Sequence, residues 1–332
     1  MKNTILILAL LFILPSCKEN NNTKQIKMSD LTSKNFIETM QKTIKHYDYE
    51  PIYYLTYEQN ICYSEILIND IPVNRNYKEI AYGDGNSIND YIFKSGIQKV
   101  TFRLYPAAKG KDFDYHTLNE ETDMKIVISE SDNIDRNKKG KEIASYLTPT
   151  INKLDQYGNS ITQFIATGKT YYEASFTFEA KVPYKFNSLD KGQDLRKWNQ
   201  EKLQKKVVDF YKNQLMLLNE KKIEEYFSYL ELKEKETCQS LFYNRKELQE
   251  VLDSYLESFT IPNYEFQPLE NYKLKLYGDG KIVCLELISS DPKMKDKSAL
   301  WAKFDEGDGM MADFLQYYLY IPEGEDELVI LR

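Results

Sequence analysis

The sequence predicts an α+β fold: an N-terminal antiparallel β-sandwich, then a unit in which helices precede an antiparallel sheet. Three observations predict it. Apolar and polar residues alternate along several segments between about 52 and 186. The period becomes helical from about 190 to 260. Alternation returns from 263 onward. At 332 residues the chain is long enough for two domains.

The amino terminus is a separate matter. Lys2 precedes an almost unbroken apolar run, Ile5 to Leu14, which ends in Leu14-Pro15-Ser16-Cys17. About ten apolar residues are too few for a membrane-spanning helix, which needs roughly 20. The length and flanks fit the apolar region of a cleaved export signal. Leu-x-Ser-Cys resembles the lipobox of bacterial lipoproteins, a match confined to residues 1–17, in which Pro15 is an unusual occupant. The resemblance implies cleavage after Ser16, a diacylglycerol on the Cys17 sulfur and a further acyl chain on its amine. Burying such chains at about 0.8 kcal/mol per CH2 anchors a protein stably. The alternative is an ordinary signal followed by an incidental cysteine. Lys18 stands where an Asp often retains lipoproteins in the inner membrane, so the resemblance implies the outer membrane, with either face open.

Residues 17–28 read as a tether: Lys18 to Lys27 is polar, without apolar periodicity, and cannot bury enough surface to fold. Residues 29–188 are expected to form a helix plus the sandwich, and 189–332 the α+β unit. The helix spans 30–47, capped by Ser29 or Asp30, with Ile37, Met40, Ile44 and Tyr47 on one face.

The clearest strand is Lys99 to Tyr105, with Val100, Phe102 and Leu104 on one side and Lys99, Thr101 and Arg103 on the other. Met124, Ile126 and Ile128 repeat the period, as do Ala174, Phe176, Phe178, Ala180 and Val182. Such alternation means one buried and one wet face. Ile61 to Ile68 is another strand, closed by a turn at Asn69-Asp70. The polar stretch from Pro106 to Thr122 reads as a loop. The segment Ile88-Asn89-Asp90-Tyr91, then Ser95-Gly96, resembles sandwich modules of uncharacterised envelope lipoproteins, which implies an immunity or adhesion role.

Leu203, Val207, Phe210, Tyr211 and Leu218 form one helical stripe, and Ile223, Tyr226, Phe227 and Leu230 a shorter one. Asn244 and Glu247 make a capping box for a helix carrying Leu248, Val251, Leu252, Tyr255 and Phe259. Tyr272, Leu274 and Leu276 then alternate, and Gly278-Asp279-Gly280 joins them to Ile282–Leu287 as a hairpin. Segments near 299–304, 314–321 and 327–331 complete one sheet. This order of elements resembles cystatin-like and nuclear-transport-factor-2-like cones, a likeness that carries no function. Asn76-Tyr77-Lys78 with Tyr82-Gly83-Asp84-Gly85 recurs as Asn271-Tyr272-Lys273 with Tyr277-Gly278-Asp279-Gly280, which reads as two similar hairpins.

A net charge of −7 argues against nucleic acid as a partner. The 27 tyrosines suit half-buried strand positions, and exposed ones suit sugar rings. Cys62, Cys238 and Cys284 remain after Cys17. Cys238 and Cys284 fall in one expected unit, where an oxidising envelope permits a disulfide; separate buried thiols are the alternative. No cysteine–histidine spacing marks a metal site, and no cofactor motif is present. His46 sits near a helix end, where a cation meets the dipole favourably. Asp112, Asp114 and His116 alternate and would share a side if extended, as metal ligands or a solvated loop. Asp305-Glu306-Gly307-Asp308-Gly309 lacks the calcium-loop spacing and reads as a wet hairpin turn.

Two functional expectations follow. The first is a membrane-anchored, non-enzymatic envelope module that binds a protein partner or a surface glycan. The second is a carboxylate-based hydrolase with a pocket in the C-terminal unit, lined by Trp301, Tyr317 and Tyr318.

Overall fold

The computed structural model describes residues 29–107, 114–135, 138, 140–305, 307 and 309–332. The expected export signal, Cys17 and the expected tether lie outside the described residues. Among those described, no helix is long and apolar enough to cross a membrane.

The sandwich forms as its alternation dictates. Its strands are β1 (Pro51–Asn60), β2 (Tyr63–Ile68), β3 (Ile71–Asn76), β4 (Ala81–Ser87), β5 (Lys94–Tyr105), β6 (Asp123–Asp132), β7 (Lys141–Leu147), β8 (Thr150–Leu154), β9 (Ser160–Phe164) and β10 (Tyr172–Lys185). One antiparallel sheet runs β4-β1-β6-β7 and the other β10-β5-β2-β3. Tyr53, Leu55, Met124, Ile126 and Ile128 face Ile66, Ile68, Val100, Phe102, Leu104 and Phe178 across a shared core. The Asn69-Asp70 turn has positive φ at both residues, 51° and 64°, the requirement of a tight type I′ hairpin. The hairpin β8–β9 was not anticipated; every β8 side chain is exposed, so no buried period marks it. The first copy of the Asn-Tyr-Lys repeat is no hairpin: it carries the chain from β3 in one sheet to β4 in the other.

The second unit contains α2 (Gln200–Asn219), α3 (Ile223–Ser228), α4 (Glu231–Ser240), α5 (Arg245–Thr260), β11 (Glu265–Phe266), β12 (Tyr272–Tyr277), β13 (Ile282–Leu287), β14 (Trp301–Asp305), β15 (Met310–Phe314), β16 (Leu319–Tyr320) and β17 (Val329–Ile330). The expected capping box opens α5, with both reciprocal bonds of Asn244 and Glu247 present. The single expected sheet is two, β12-β13-β16-β17 and β11-β14-β15. Gly307 and Gly309 have positive φ in the β14–β15 turn, as a hairpin there requires.

The remaining helix, α1, spans only Phe36–Thr43, because Thr32 and Asn35 bond reciprocally into a turn ahead of it. Neither Ser29 nor Asp30 caps it. It also does not belong to the sandwich. Leu31, Phe36 and Met40 are buried with Leu203, Val207 and Phe227 in the core of the second unit. The sandwich, from β1 to β10, is therefore inserted between α1 and the other helices.

The two units share a third core. Leu67, Ile71 and Phe93 of the sandwich pack on Tyr277, Ile282, Cys284, Tyr318, Tyr320 and Leu331. Every residue of β2 and of β13 is buried, because each lies in a sheet covered on both faces. The layers run sheet, sheet, sheet, helices. That is why Ile66-Leu67-Ile68 and Ile282-Val283-Cys284-Leu285 are continuous apolar runs rather than alternating ones.

Candidate functional site

The residues singled out in the sequence do not assemble into a site. Asp112, Glu306 and Asp308 lie outside the described residues. His116 is exposed, with Asp114 4.0 Å away. His46 lies beyond the end of α1, on the surface, and bonds Glu50 Oε1 at 2.8 Å instead of meeting the helix end. No cluster of metal-ligating groups occurs among the described residues. Cys62, Cys238 and Cys284 are free, buried thiols. The Cys238–Cys284 disulfide is not formed: Cys238 lies on α4 against Glu234, and Cys284 on the β13 face that meets the sandwich.

The space expected to be lined by Trp301, Tyr317 and Tyr318 is filled, although an open groove of about 730 Å³ lies elsewhere on the same unit, between α2 and the C-terminal segment, with Asp209, Asp326 and Glu327 among its lining residues. Tyr317 and Tyr318 are buried on opposite faces of the sheet and cannot line one cavity. Val283, Leu285, Leu287, Leu319 and Ile330 are covered by the helices, and Trp301 packs at the margin of that core. An open cone is absent for the same reason.

A different site arises where the sandwich meets the second unit. The outer face of the sheet β10-β5-β2-β3 carries a row of alternating charges in register: Arg75 opposite Glu65, Glu65 opposite Arg103, Arg103 opposite Glu173. The three contacts measure 2.7, 2.9 and 2.8 Å. Glu65 and Arg103 sit next to core residues of their strands, so the strand period that buries Ile66 and Phe102 also aims Glu65 and Arg103 outward. This row forms one wall of a cleft of about 460 Å³. The opposite wall is Lys273, Lys275 and Tyr277 on β12, Glu286 on β13 and the loop residues Lys295 and Asp296. Tyr77, Tyr105 and Tyr171 complete it.

The walls are joined by Arg75, whose Nη2 donates to Glu286 Oε1 at 2.7 Å and to the Tyr277 hydroxyl at 2.6 Å. Its Nη1 donates to the Asp296 carbonyl. Burial pulls the Arg75 pKa down, but Glu286, Tyr277 and Glu65 outweigh it and the net shift is upward, so the cation persists. Asp296 bonds Lys273 and receives the Tyr77 hydroxyl at 2.5 Å. Burial raises its pKa, yet these two donors prevail and hold it below the usual carboxylate range. Glu173 is also held low, first by the Tyr171 hydroxyl and then by Arg103. Burial pushes the Tyr171 phenol up to about 12.

All four cleft carboxylates are thus paired, and Asp296 and Glu173 are fixed in the ionised form. Carboxylate hydrolysis needs one carboxyl kept protonated as the acid, which these two are not. Three side chains of the cleft make no hydrogen bond among the described residues. Lys275 is half-buried with no hydrogen bond or ion pair among the described residues. Lys295 lies over the Tyr77 ring, its Nζ 5.0 Å from the centroid, and makes no side-chain hydrogen bond or ion pair among the described residues. The Tyr105 hydroxyl has no hydrogen-bond partner among the described residues. The cleft is a preformed anion-accepting surface edged by aromatic rings.

Sequence reasoning missed these residues because they looked like wet strand faces. Arg103 and Glu173 stand at the polar positions of their alternation, and only the covering by a second sheet turns that face into a site. No family model matches the chain, and no curated protein or solved structure matches it either.

Proposed function

We propose that the protein is a lipid-anchored envelope binding protein, without catalysis of its own, that holds its ligand in the cleft between the sandwich and the second unit. The observation that carries this reading is the state of the cleft: every carboxylate is paired, while Lys275, Lys295 and the Tyr105 hydroxyl stand ready as donors. The lipobox-like Leu14-Pro15-Ser16-Cys17 supports the anchor, and residues 18–28 supply the reach from the membrane. The filled space around Tyr317 and Tyr318 and the pairing of the cleft acids weigh against a hydrolase that works at either of these two places.

The test is purification of the intact chain from its own cells, with native mass spectrometry of what it retains, beside Cys17→Ala and Lys275→Glu forms. The expected result is a lipid mass lost in Cys17→Ala, and a retained species, unchanged chemically on incubation, lost in Lys275→Glu. A retained species that is converted to product overturns the non-enzymatic reading. A chain that retains nothing, or retains it equally in Lys275→Glu, overturns the cleft.

A further inference from the structure

The cleft's own chemistry narrows the class of ligand, an inference that rests on the binding role proposed above. Its two guanidinium groups are already engaged: Arg75 with Glu65 and Glu286, Arg103 with Glu65 and Glu173. The Arg75 fork is therefore occupied, and Arg103 has only Nη2 left over from its two carboxylate contacts, so neither offers the free planar fork that grips a phosphate bidentately. What remains is point charge, from Lys275 and Lys295, beside aromatic faces. Tyr105 and Tyr171 lie 5.5 Å apart, tilted by 51°, and Tyr171 is 43% exposed. Two tilted rings make no flat platform, so one ring supports the ligand and the other borders it.

We infer that the cleft binds an acidic saccharide, with a sugar carboxylate at Lys275 and Lys295 and the C–H face of a pyranose ring against Tyr171. A carboxylate meeting an ammonium gives a charge-assisted hydrogen bond. A tyrosine offers an apolar ring for the sugar's C–H face and a hydroxyl for its rim. The cleft volume, about 460 Å³, lies in the range of small-ligand sites. The paired carboxylates Glu65, Glu286 and Asp296 at the base repel a ligand acid from every place but the lysine side. A neutral sugar leaves Lys275 without a partner, and an acidic peptide leaves the Tyr171 ring face without one.

Isothermal titration of the intact, lipidated protein in detergent micelles tests this. The probes are hexasaccharides of galacturonate, alginate and hyaluronan, with maltohexaose and a hexaglutamate peptide for comparison. At least one acidic saccharide is expected to bind, with maltohexaose and the peptide weaker by an order of magnitude. Lys275→Gln is expected to weaken it roughly tenfold, as the loss of a charged hydrogen bond does. Tyr171→Ala is expected to weaken it too, and added salt to do the same because the lysines are partly exposed. Unchanged circular dichroism establishes that the variants fold. Binding of maltohexaose as tight as that of the acids overturns the inference, as does an acidic saccharide indifferent to Lys275→Gln. Peptide binding that survives Tyr171→Ala overturns it as well. If none of the acidic saccharides binds while native mass spectrometry still finds a Lys275-dependent species, the saccharide inference fails and the binding role stands.

Discussion

Arg75 Nη2 lies 2.7 Å from Glu286 Oε1, and the Tyr277 hydroxyl donates to that same oxygen. A strand of the sandwich thereby neutralises a carboxylate of the other unit that is 1% exposed. Removing one partner of a buried pair leaves the other charge uncompensated, so Arg75→Met is expected to destabilise by about 3–5 kcal/mol. The double variant Arg75→Met with Glu286→Gln is expected to lose less, because the stranded charge goes too. Urea unfolding measures both; equal losses would mean that packing, not charge, holds the site.

Gln214 on α2 is fully buried, and neither its amide nitrogen nor its oxygen has a partner among the described residues. Methionine matches its length without the polar atoms. Gln214→Met is expected to stabilise by about 1–2 kcal/mol, the cost of an unsatisfied buried group. A lower midpoint in urea would show that the amide is satisfied in solution.

Two aspartates are expected to act oppositely with pH. Burial raises the Asp90 carboxyl, against the pull of Arg332, so its folded pKa exceeds the unfolded value of 3.8. Such a group reduces stability as pH rises from the unfolded value through the folded one. Asp90→Asn keeps an acceptor for the Ser240 hydroxyl, now at 2.9 Å from Oδ1. It is expected to stabilise at pH 7, with the gain vanishing in acid. Asp296 has a folded pKa below 3.8, so its contribution is present above 3.8 and disappears as pH falls through the folded value. Asp296→Asn is expected to destabilise at pH 7 and to converge on the parent in acid. Unfolding curves from pH 3 to 7 check both signs.

Phe36 in α1 is fully buried and meets the Phe227 ring edge-on at 5.9 Å. Phe36→Ala is expected to destabilise by about 3–5 kcal/mol. Because the units share the core around Leu67 and Ile282, the loss should lower one cooperative transition. Calorimetry showing two separated transitions would contradict the shared core.

Burial pushes the Cys62 thiol up to about 12 and raises Cys238 and Cys284 as well. Thiolate is the reactive form, so in the lipidated protein Ellman's reagent is expected to find none of these three thiols while the chain is native. In denaturant without reductant it should titrate all three. A single titrating thiol would show that two of the three are paired, against the free thiols described above.

Much of the architecture was legible because it follows local rules. Val100, Phe102 and Leu104 announce a one-sided strand, Asn69-Asp70 a tight turn, and Asn244 with Glu247 a helix start. What was not legible depends on what covers what. The amphipathic stripe of Ile37 and Met40 identifies a helix but not its partner. Helix α4 escaped notice because its buried side is polar: Glu234, Glu236, Gln239 and Ser240 are all buried. Three of them have partners remote in sequence. Gln239 bonds the backbone of Lys45, Ser240 bonds Asp90, and Glu236 bonds Arg332. No apolar period can reveal such a face. The cleft was hidden in the same way, since Arg103 reads as solvated until β12 lies across from it.

The insertion of the sandwich between α1 and the other helices orders the events of folding. Phe36 and Met40 precede α5 by some two hundred residues of chain, while β1 to β10 form a core that needs only a few later residues, such as Phe242. The first helix therefore waits as an orphan with its greasy side uncovered. The unit it completes closes only after the last strand is in place. Loop closure over so many residues is slow, which makes the docking of α1 the natural rate-limiting step of maturation and the interval before it the period of greatest exposure to aggregation.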